Sequence, residues 1–307
     1  MVKTIHARIT PSMKFKLSVV RAGFAIGGRV IPKRTIRSAA RLFSTPLASS
    51  RARARAAAPD ASMRRESLRV ADRDIASYVW GDPSAQPYAL LVHGWSSFGL
   101  RYLPWIGRLR ELGYAVVSFD QPGHGHSGGK FCTLPDFIGT IRAVGQHYGR
   151  PALAVGHSLG GAALALSQDE CWYADRLILV APAADVVDAT TRFFRMVRLG
   201  LHLHRPFLGL LERRTGVPVS DLQVHEHLPR LGQPGLIIHD LDDADVPWSE
   251  GERYARHWHH ARLLTTEGLG HHRVLDAPEV IDASLSFIQG EPVGQRVVSS
   301  PNLPFGL

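Results

Sequence analysis

Ser158 lies at the centre of Gly156-His157-Ser158-Leu159-Gly160, between two apolar runs of different character. The run before it, Ala152-Leu153-Ala154-Val155, reads as a buried strand; the run after it, Gly161 to Leu166, reads as the start of a small-residue helix. A G-x-S-x-G at such a junction makes a turn too tight for side chains at its flanks. It lifts the serine hydroxyl to the edge of a sheet and aims the first helix amides at the same spot. A hydroxyl is a poor nucleophile near neutral pH until a base takes its proton, and the base needs an acid to orient it. Both types follow, in the order Ser, Asp, His. The strand-like Gly235-Leu236-Ile237-Ile238 runs into a loop holding Asp240, Asp242, Asp243 and Asp245 before Val246-Pro247. Leu263-Leu264-Thr265-Thr266 leads through Glu267-Gly268-Leu269-Gly270 to His271-His272. Residues placed just past strand ends are where open parallel sheets hold their chemistry, and this set suits acyl transfer through a covalent intermediate.

Two further segments complete a pattern: Leu90-Leu91-Val92-His93-Gly94-Trp95, and Phe119-Asp120-Gln121-Pro122-Gly123-His124-Gly125-His126-Ser127. Together with the serine turn, the aspartate loop and Gly270-His271, they make residues 66–290 resemble the α/β-hydrolase fold serine hydrolases. The wording around His239-Asp240 and Gly268-Leu269-Gly270-His271 is similar to a group of bacterial esterase-like hydrolases. The resemblance implies a mostly parallel α/β sheet with helices on both faces and a short helical lid. It also implies a triad of Ser158, Asp243 and His271. The family's G-x-x-D-x-x-V-P loop puts its acid at Asp243, although Asp240 stands where that motif has glycine. Asp242 is the runner-up, Asp185 a weaker candidate, and His272 the alternative to His271. The oxyanion hole is expected from the backbone N–H groups of Leu159 and Trp95. The Trp95 ring either lines the acyl pocket or packs. His157 is expected to pack rather than react.

A serine at 158 argues against the dehalogenase and epoxide hydrolase branches, which use Asp there. The expected reaction is cleavage of a carboxylic ester, or a thioester, without cofactor. An aminopeptidase-like amide hydrolase is the first rival, and would need acids in the lid to hold the substrate's amine. The lid offers Asp185, Asp188, Glu212 and Asp221 among mostly apolar and basic residues. His124-Gly125-His126-Ser127 fails as a binuclear metal motif, because Gly128 and Gly129 stand where an aspartate and a histidine are needed.

The elements that must position these residues follow from the pattern. Residues 68–81 alternate apolar and polar and suit an antiparallel hairpin. Strands are expected near 88–92, 115–119, 152–156, 176–181, 234–238 and 261–265, alternating with helices. Residues 184–228 break the alternation, with Phe193, Phe194, Val197, Leu199 and Leu203 among scattered arginines, and read as two inserted helices. Residues 60–290 form the expected catalytic domain, and 291–307 a loose tail rich in Pro and Gly.

The net charge of +9 over 307 residues is unevenly held. Residues 1–59 carry 13 basic residues and no acid, while the remainder carries 23 basic against 27 acidic residues. The high isoelectric point therefore marks a basic arm on a mildly acidic body and does not point to nucleic acid. Ile36, Ala39, Ala40 and Phe43 share one helical face of the arm, and Arg34, Arg37 and Arg41 the other. The arm is expected to be dispensable for chemistry. It suits a solvated extension, a helix lying on anionic lipid, or a transit-type leader, with Met13 as an alternative start. A protein in which the arm is the main function, binding a membrane or partner, is the second rival reading. Two cysteines, Cys132 and Cys171, without C-x-x-C spacing, point to a reducing compartment. The expected location is cytoplasmic, with the arm at the inner membrane face as the alternative.

Overall fold

A computed structural model describes residues 11–297, with side chains from residue 18 onward. Residues 1–10 and 298–307, with the side chains of 11–17, lie outside it. Most of the expected tail falls there.

A tight hairpin, β1 (Arg64–Val70) and β2 (Arg73–Trp80), opens the sheet. Six strands follow: β3 (Tyr88–Val92), β4 (Ala115–Phe119), β5 (Leu153–His157), β6 (Leu177–Val180), β7 (Gly235–Asp240) and β8 (Ala261–Thr266). They pair in the order β1-β2-β4-β3-β5-β6-β7-β8, antiparallel through β2·β4 and parallel from β4 to β8. The parallel strands β3 to β7 are buried along their whole length, which explains why they read as unbroken apolar runs.

Twelve helices accompany the sheet among the described residues. They are α1 (Pro11–Val30), α2 (Pro32–Phe43), α3 (Ser49–Ala56), α4 (Leu103–Glu111), α5 (Leu134–Tyr148) and α6 (Leu159–Ser167). Then come α7 (Val186–Val197), α8 (His204–Thr215), α9 (Val224–His227), α10 (Trp248–His257), α11 (Gly270–Arg273) and α12 (Pro278–Ile288). Ala89 and Leu91 of β3 share a core with Trp105 and Leu109 of α4 and with Val280 and Ile281 of α12. Strand residues one step along point to the other face, and there α6 packs on β5 and against α5.

The chain divides into two compact units. One holds residues up to Ser44 together with Val186–Val219; the other holds Thr45–Asp185 and Ser220 onward. In the first unit, Ile36, Ala39 and Ala40 of α2 share a core with Phe193, Phe194 and Val197 of α7 and with Phe207 of α8. Phe43 lies edge-on to Phe207, with ring centres 5.8 Å apart, and Arg21 Nε donates to the Met196 carbonyl at 2.8 Å. The helices of the expected arm and of the expected insertion thus supply each other's apolar face. Isolated helices of such length are marginal in water, and packing of an amphipathic face supplies most of their stability.

The second unit corrects the expected arm boundary at residue 59. Residues 45–59 belong with the sheet. Ala54 is buried in the sheet's core. The Leu47 N–H donates to Ser96 Oγ at 2.9 Å, and Arg51 donates to the carbonyls of Gly125 and Gly129 at 3.1 and 2.9 Å.

Candidate active site

Three loops at the C-terminal ends of parallel strands carry the candidate residues. Ser158 joins β5 to α6 with φ 54° and ψ −123°, a left-handed backbone rarely adopted by a residue with a side chain. Its neighbours explain how the turn closes. A Cβ on Gly160 would lie 2.4 Å from the His93 carbonyl oxygen, and one on Gly156 would lie 2.7 Å from the Gly161 Cα. The space is already filled by backbone, so glycine is required at both positions. The turn makes Leu159 the first residue of α6, so its N–H has no intrahelical acceptor.

The two other residues meet Ser158. His271 Nε2 lies 2.9 Å from Ser158 Oγ, placed to accept the hydroxyl proton. His271 Nδ1 lies 2.7 Å from Asp243 Oδ2. Asp243 and His271 are both buried. Asp243 Oδ1 accepts from the N–H groups of Asp245 and Val246 at 2.9 and 2.8 Å. Burial alone would raise the Asp243 carboxyl; hydrogen bonds from His239 and His271, with the charge of His271, hold it well below the usual carboxylate range.

The remaining acids of the loop have other partners. Asp242 Oδ2 accepts from the Gly268 N–H at 2.9 Å. Asp245 lies 3.6 Å from the exposed ring of His272. Asp185 pairs with Arg253 at 3.2 Å. Asp240 accepts from Thr266 Oγ1, from the N–H groups of Leu269 and Gly270, and from its own loop at Asp242. It ties the β7 loop to the turn that presents His271. Its sequence signal was an acid standing where the related motif has glycine.

Trp95 follows Gly94, whose missing Cβ would lie 3.0 Å from Ser158 Cβ and 2.9 Å from the His157 carbonyl. The β3 loop therefore abuts the serine. The Trp95 ring both lines the pocket beside Ser158 and packs edge-on to His124, with centres 5.2 Å apart.

Buried histidines hold this loop, a role with no motif to reveal it. His124 Nε2 accepts from the Ser96 N–H at 3.0 Å while its Nδ1–H donates to the Pro122 carbonyl at 2.9 Å. His93 Nε2 accepts from the Gln121 N–H at 2.9 Å while its Nδ1–H donates to the Gly94 carbonyl at 2.7 Å. Both rings must be neutral to accept in this way. Burial favours that state, pushing His93 down to about 4 and, with the neighbouring His93, His124 to about 3. His157, expected only to pack, donates from Nε2 to the His271 carbonyl at 2.9 Å.

The pocket has a volume of about 560 Å³ and reaches Ser158, His271, Gly94 and Trp95. Its other walls include Phe98, Leu100, Arg101 and, from α3, Arg53 and Ala56. No carboxylate lines it among the described residues. None of the described His, Cys, Asp and Glu residues cluster in a way that could hold a metal ion.

Three kinds of likeness to known proteins accompany this geometry. A sequence model of the serine aminopeptidase S33 family matches residues 83–231. A pimeloyl-acyl-carrier-protein methyl ester esterase of Xanthomonas oryzae pv. oryzae is 28% identical over 253 residues, spanning 67% of this chain and 96% of its own length. A monoacylglycerol lipase of Mycolicibacterium smegmatis is 34% identical over 92 residues, 27% of this chain and 33% of the lipase. The chain thus spans a third of that lipase. Among solved structures, a membrane phospholipase A described as a bacterial virulence factor superposes with a TM-score of 0.57 at 19% identity. That match covers 92% of this chain and 99% of the phospholipase, and at such identity the likeness is one of fold.

Proposed function

We propose, from the premise that this chain is an α/β hydrolase, that it is a serine esterase acting through an acyl-enzyme. What supports the reading is one observation: His271 stands between Asp243 Oδ2, at 2.7 Å, and Ser158 Oγ, at 2.9 Å. Ser158 Oγ attacks the acyl carbon as its proton passes to His271 Nε2. Asp243 keeps the proton of His271 on Nδ1 and stabilises the imidazolium. The N–H groups of Leu159 and Trp95 take the negative charge that develops on the acyl oxygen. His271 then protonates the leaving alcohol, and a water molecule, deprotonated by the same ring, releases the acid. The test is fluorophosphonate labelling followed by a p-nitrophenyl ester panel of rising acyl length. Ser158→Ala is expected to lose both labelling and turnover while keeping its fold by circular dichroism. Turnover at the wild-type rate in that variant would overturn the assignment.

The aminopeptidase reading is disfavoured by the pocket. A substrate's free ammonium calls for a carboxylate beside it, whereas the charged walls here are the guanidinium groups of Arg53 and Arg101. Relatives described as a methyl ester esterase and a monoacylglycerol lipase favour acyl esters.

Contact with an anionic membrane is the second part of the proposal, and one observation favours it. Residues 18–44 and 186–219 carry 12 basic and two acidic residues, whereas residues 45–185 and 220–307 carry 20 basic and 25 acidic ones. The same helical unit exposes Val19, Ile26, Val30, Ile31 and Leu42 beside Arg29, Lys33, Arg34 and Arg41. Exposed apolar side chains among cations suit the interface of a bilayer with anionic headgroups. No described helix is long and apolar enough to cross a membrane.

A further inference from the structure

We propose that the pocket beside Ser158 selects esters that carry an anionic oxygen group, and that Arg53 holds that group. The inference rests on the esterase reading and names its substrate class. Arg53 projects from α3 at the exposed rim of the pocket. Its Nη2 donates to the Ser96 carbonyl at 2.7 Å, its Nε donates back to the Ser49 carbonyl at 3.4 Å, and the guanidinium carbon lies 5.7 Å over the Phe98 ring. The head is therefore fixed on the loop that follows Trp95. Among the described residues, no carboxylate lies within ion-pair distance of it.

The second guanidinium in the wall is different. Arg101 pairs with Asp276 at 2.5 Å and donates to the His272 carbonyl at 3.1 Å. Its charge is answered within the fold, whereas that of Arg53 is not. Burial, and then repulsion from Arg101, pull the Arg53 guanidinium down. An arriving anion relieves that repulsion, and a guanidinium fork binds carboxylate or phosphate oxygens in the plane they present. The apolar side chains of Phe98, Leu100 and Leu103 leave room for the hydrocarbon of the same substrate.

Two matched pairs of esters test the idea and tell apart the sources of the charge. On the acyl side, mono-p-nitrophenyl succinate is compared with p-nitrophenyl pentanoate. On the alcohol side, 1-lauroylglycerol 3-phosphate is compared with 1-lauroylglycerol. The expected result is a preference of about tenfold or more in kcat/KM for the charged member of at least one pair. Arg53→Gln, which keeps an N–H for the Ser96 carbonyl, is expected to bring that ratio close to one. Arg53→Lys, which keeps the charge, retains most of it. Ratios near one in both pairs overturn the proposal and leave the esterase standing. So does a fall in Arg53→Gln that is equal for both members of a pair. Should the wild type hydrolyse none of the four, binding of 1-lauroylglycerol 3-phosphate to Ser158→Ala by calorimetry decides. A Kd weakened about tenfold by adding Arg53→Gln keeps the anion site while the esterase reading falls, and an unchanged Kd removes both.

Discussion

At the scale of single residues, the acids of the 240–245 loop divide the work. Asp243→Asn is expected to slow ester hydrolysis by about 10⁴, the loss seen when a triad acid no longer fixes the histidine tautomer. Asp242→Asn, which alters only a bond to the Gly268 N–H, should stay within a few-fold of wild type. Steady-state kcat on one p-nitrophenyl ester checks both, and a crippled Asp242→Asn would move the acid by one position. A second prediction concerns His93 and His124. Their folded values, about 4 and about 3, lie below the 6.5 of an exposed histidine. Between those limits the unfolded chain binds more protons than the native one. The stability they give is therefore complete above pH 6.5 and is lost as pH falls. The loss is about 2 kcal/mol per ring by pH 5, read as a falling urea midpoint; a flat profile from pH 7 to 5 would refute it. The ranking of the aspartates rested on the loop's resemblance to a known motif, whose spacing before Val246-Pro247 is local. Sequence could not assign Asp240, because two of its partners, the Leu269 and Gly270 amides, lie about thirty residues away.

At the scale of elements, the central strands were legible because burial on both faces leaves a continuous apolar signature. Expected segments 88–92 and 115–119 coincide with β3 and β4, and the other four shift by one or two residues. The hairpin expected over 68–81 begins earlier, at Arg64, because β1 is mostly exposed and its apolar alternation is weak. The pairing of α2 with α7 and α8 was not legible, since an amphipathic face does not say what covers it. The role of α3 was hidden for a related reason: its arginines alternate with small residues and name no partner, yet Arg51 and Arg53 tie down the loops around Gly125 and Ser96. The arm was expected to be dispensable for chemistry, and these contacts argue for the opposite outcome. Removing residues 1–60 takes away buried Ala54 and two pocket walls, Arg53 and Ala56. Turnover on p-nitrophenyl butyrate should fall at least tenfold and the melting midpoint should drop; retained kcat would show that α3 is only an ornament.

At the scale of the whole molecule, the charge is partitioned: a strongly basic helical unit and a mildly acidic sheet unit in one chain. Full-length protein is expected to pellet with vesicles containing anionic lipid and not with neutral ones, and to be released as salt shortens the screening length to about 3 Å at 1 M. The double substitution Arg34→Glu and Arg37→Glu, on the exposed face of α2, should weaken pelleting while kcat on a soluble ester is held. Equal pelleting with neutral vesicles would exclude the electrostatic contact. The turn at Ser158 bears on the whole molecule in another way. Its left-handed backbone stores about 1–3 kcal/mol that glycine would not, a gain partly offset by the freer unfolded chain glycine allows. Ser158→Gly should therefore melt higher by a few degrees and hydrolyse nothing. The fold would thus be steadier without its own candidate nucleophile, and a glycine there would cost the chain only its hydroxyl.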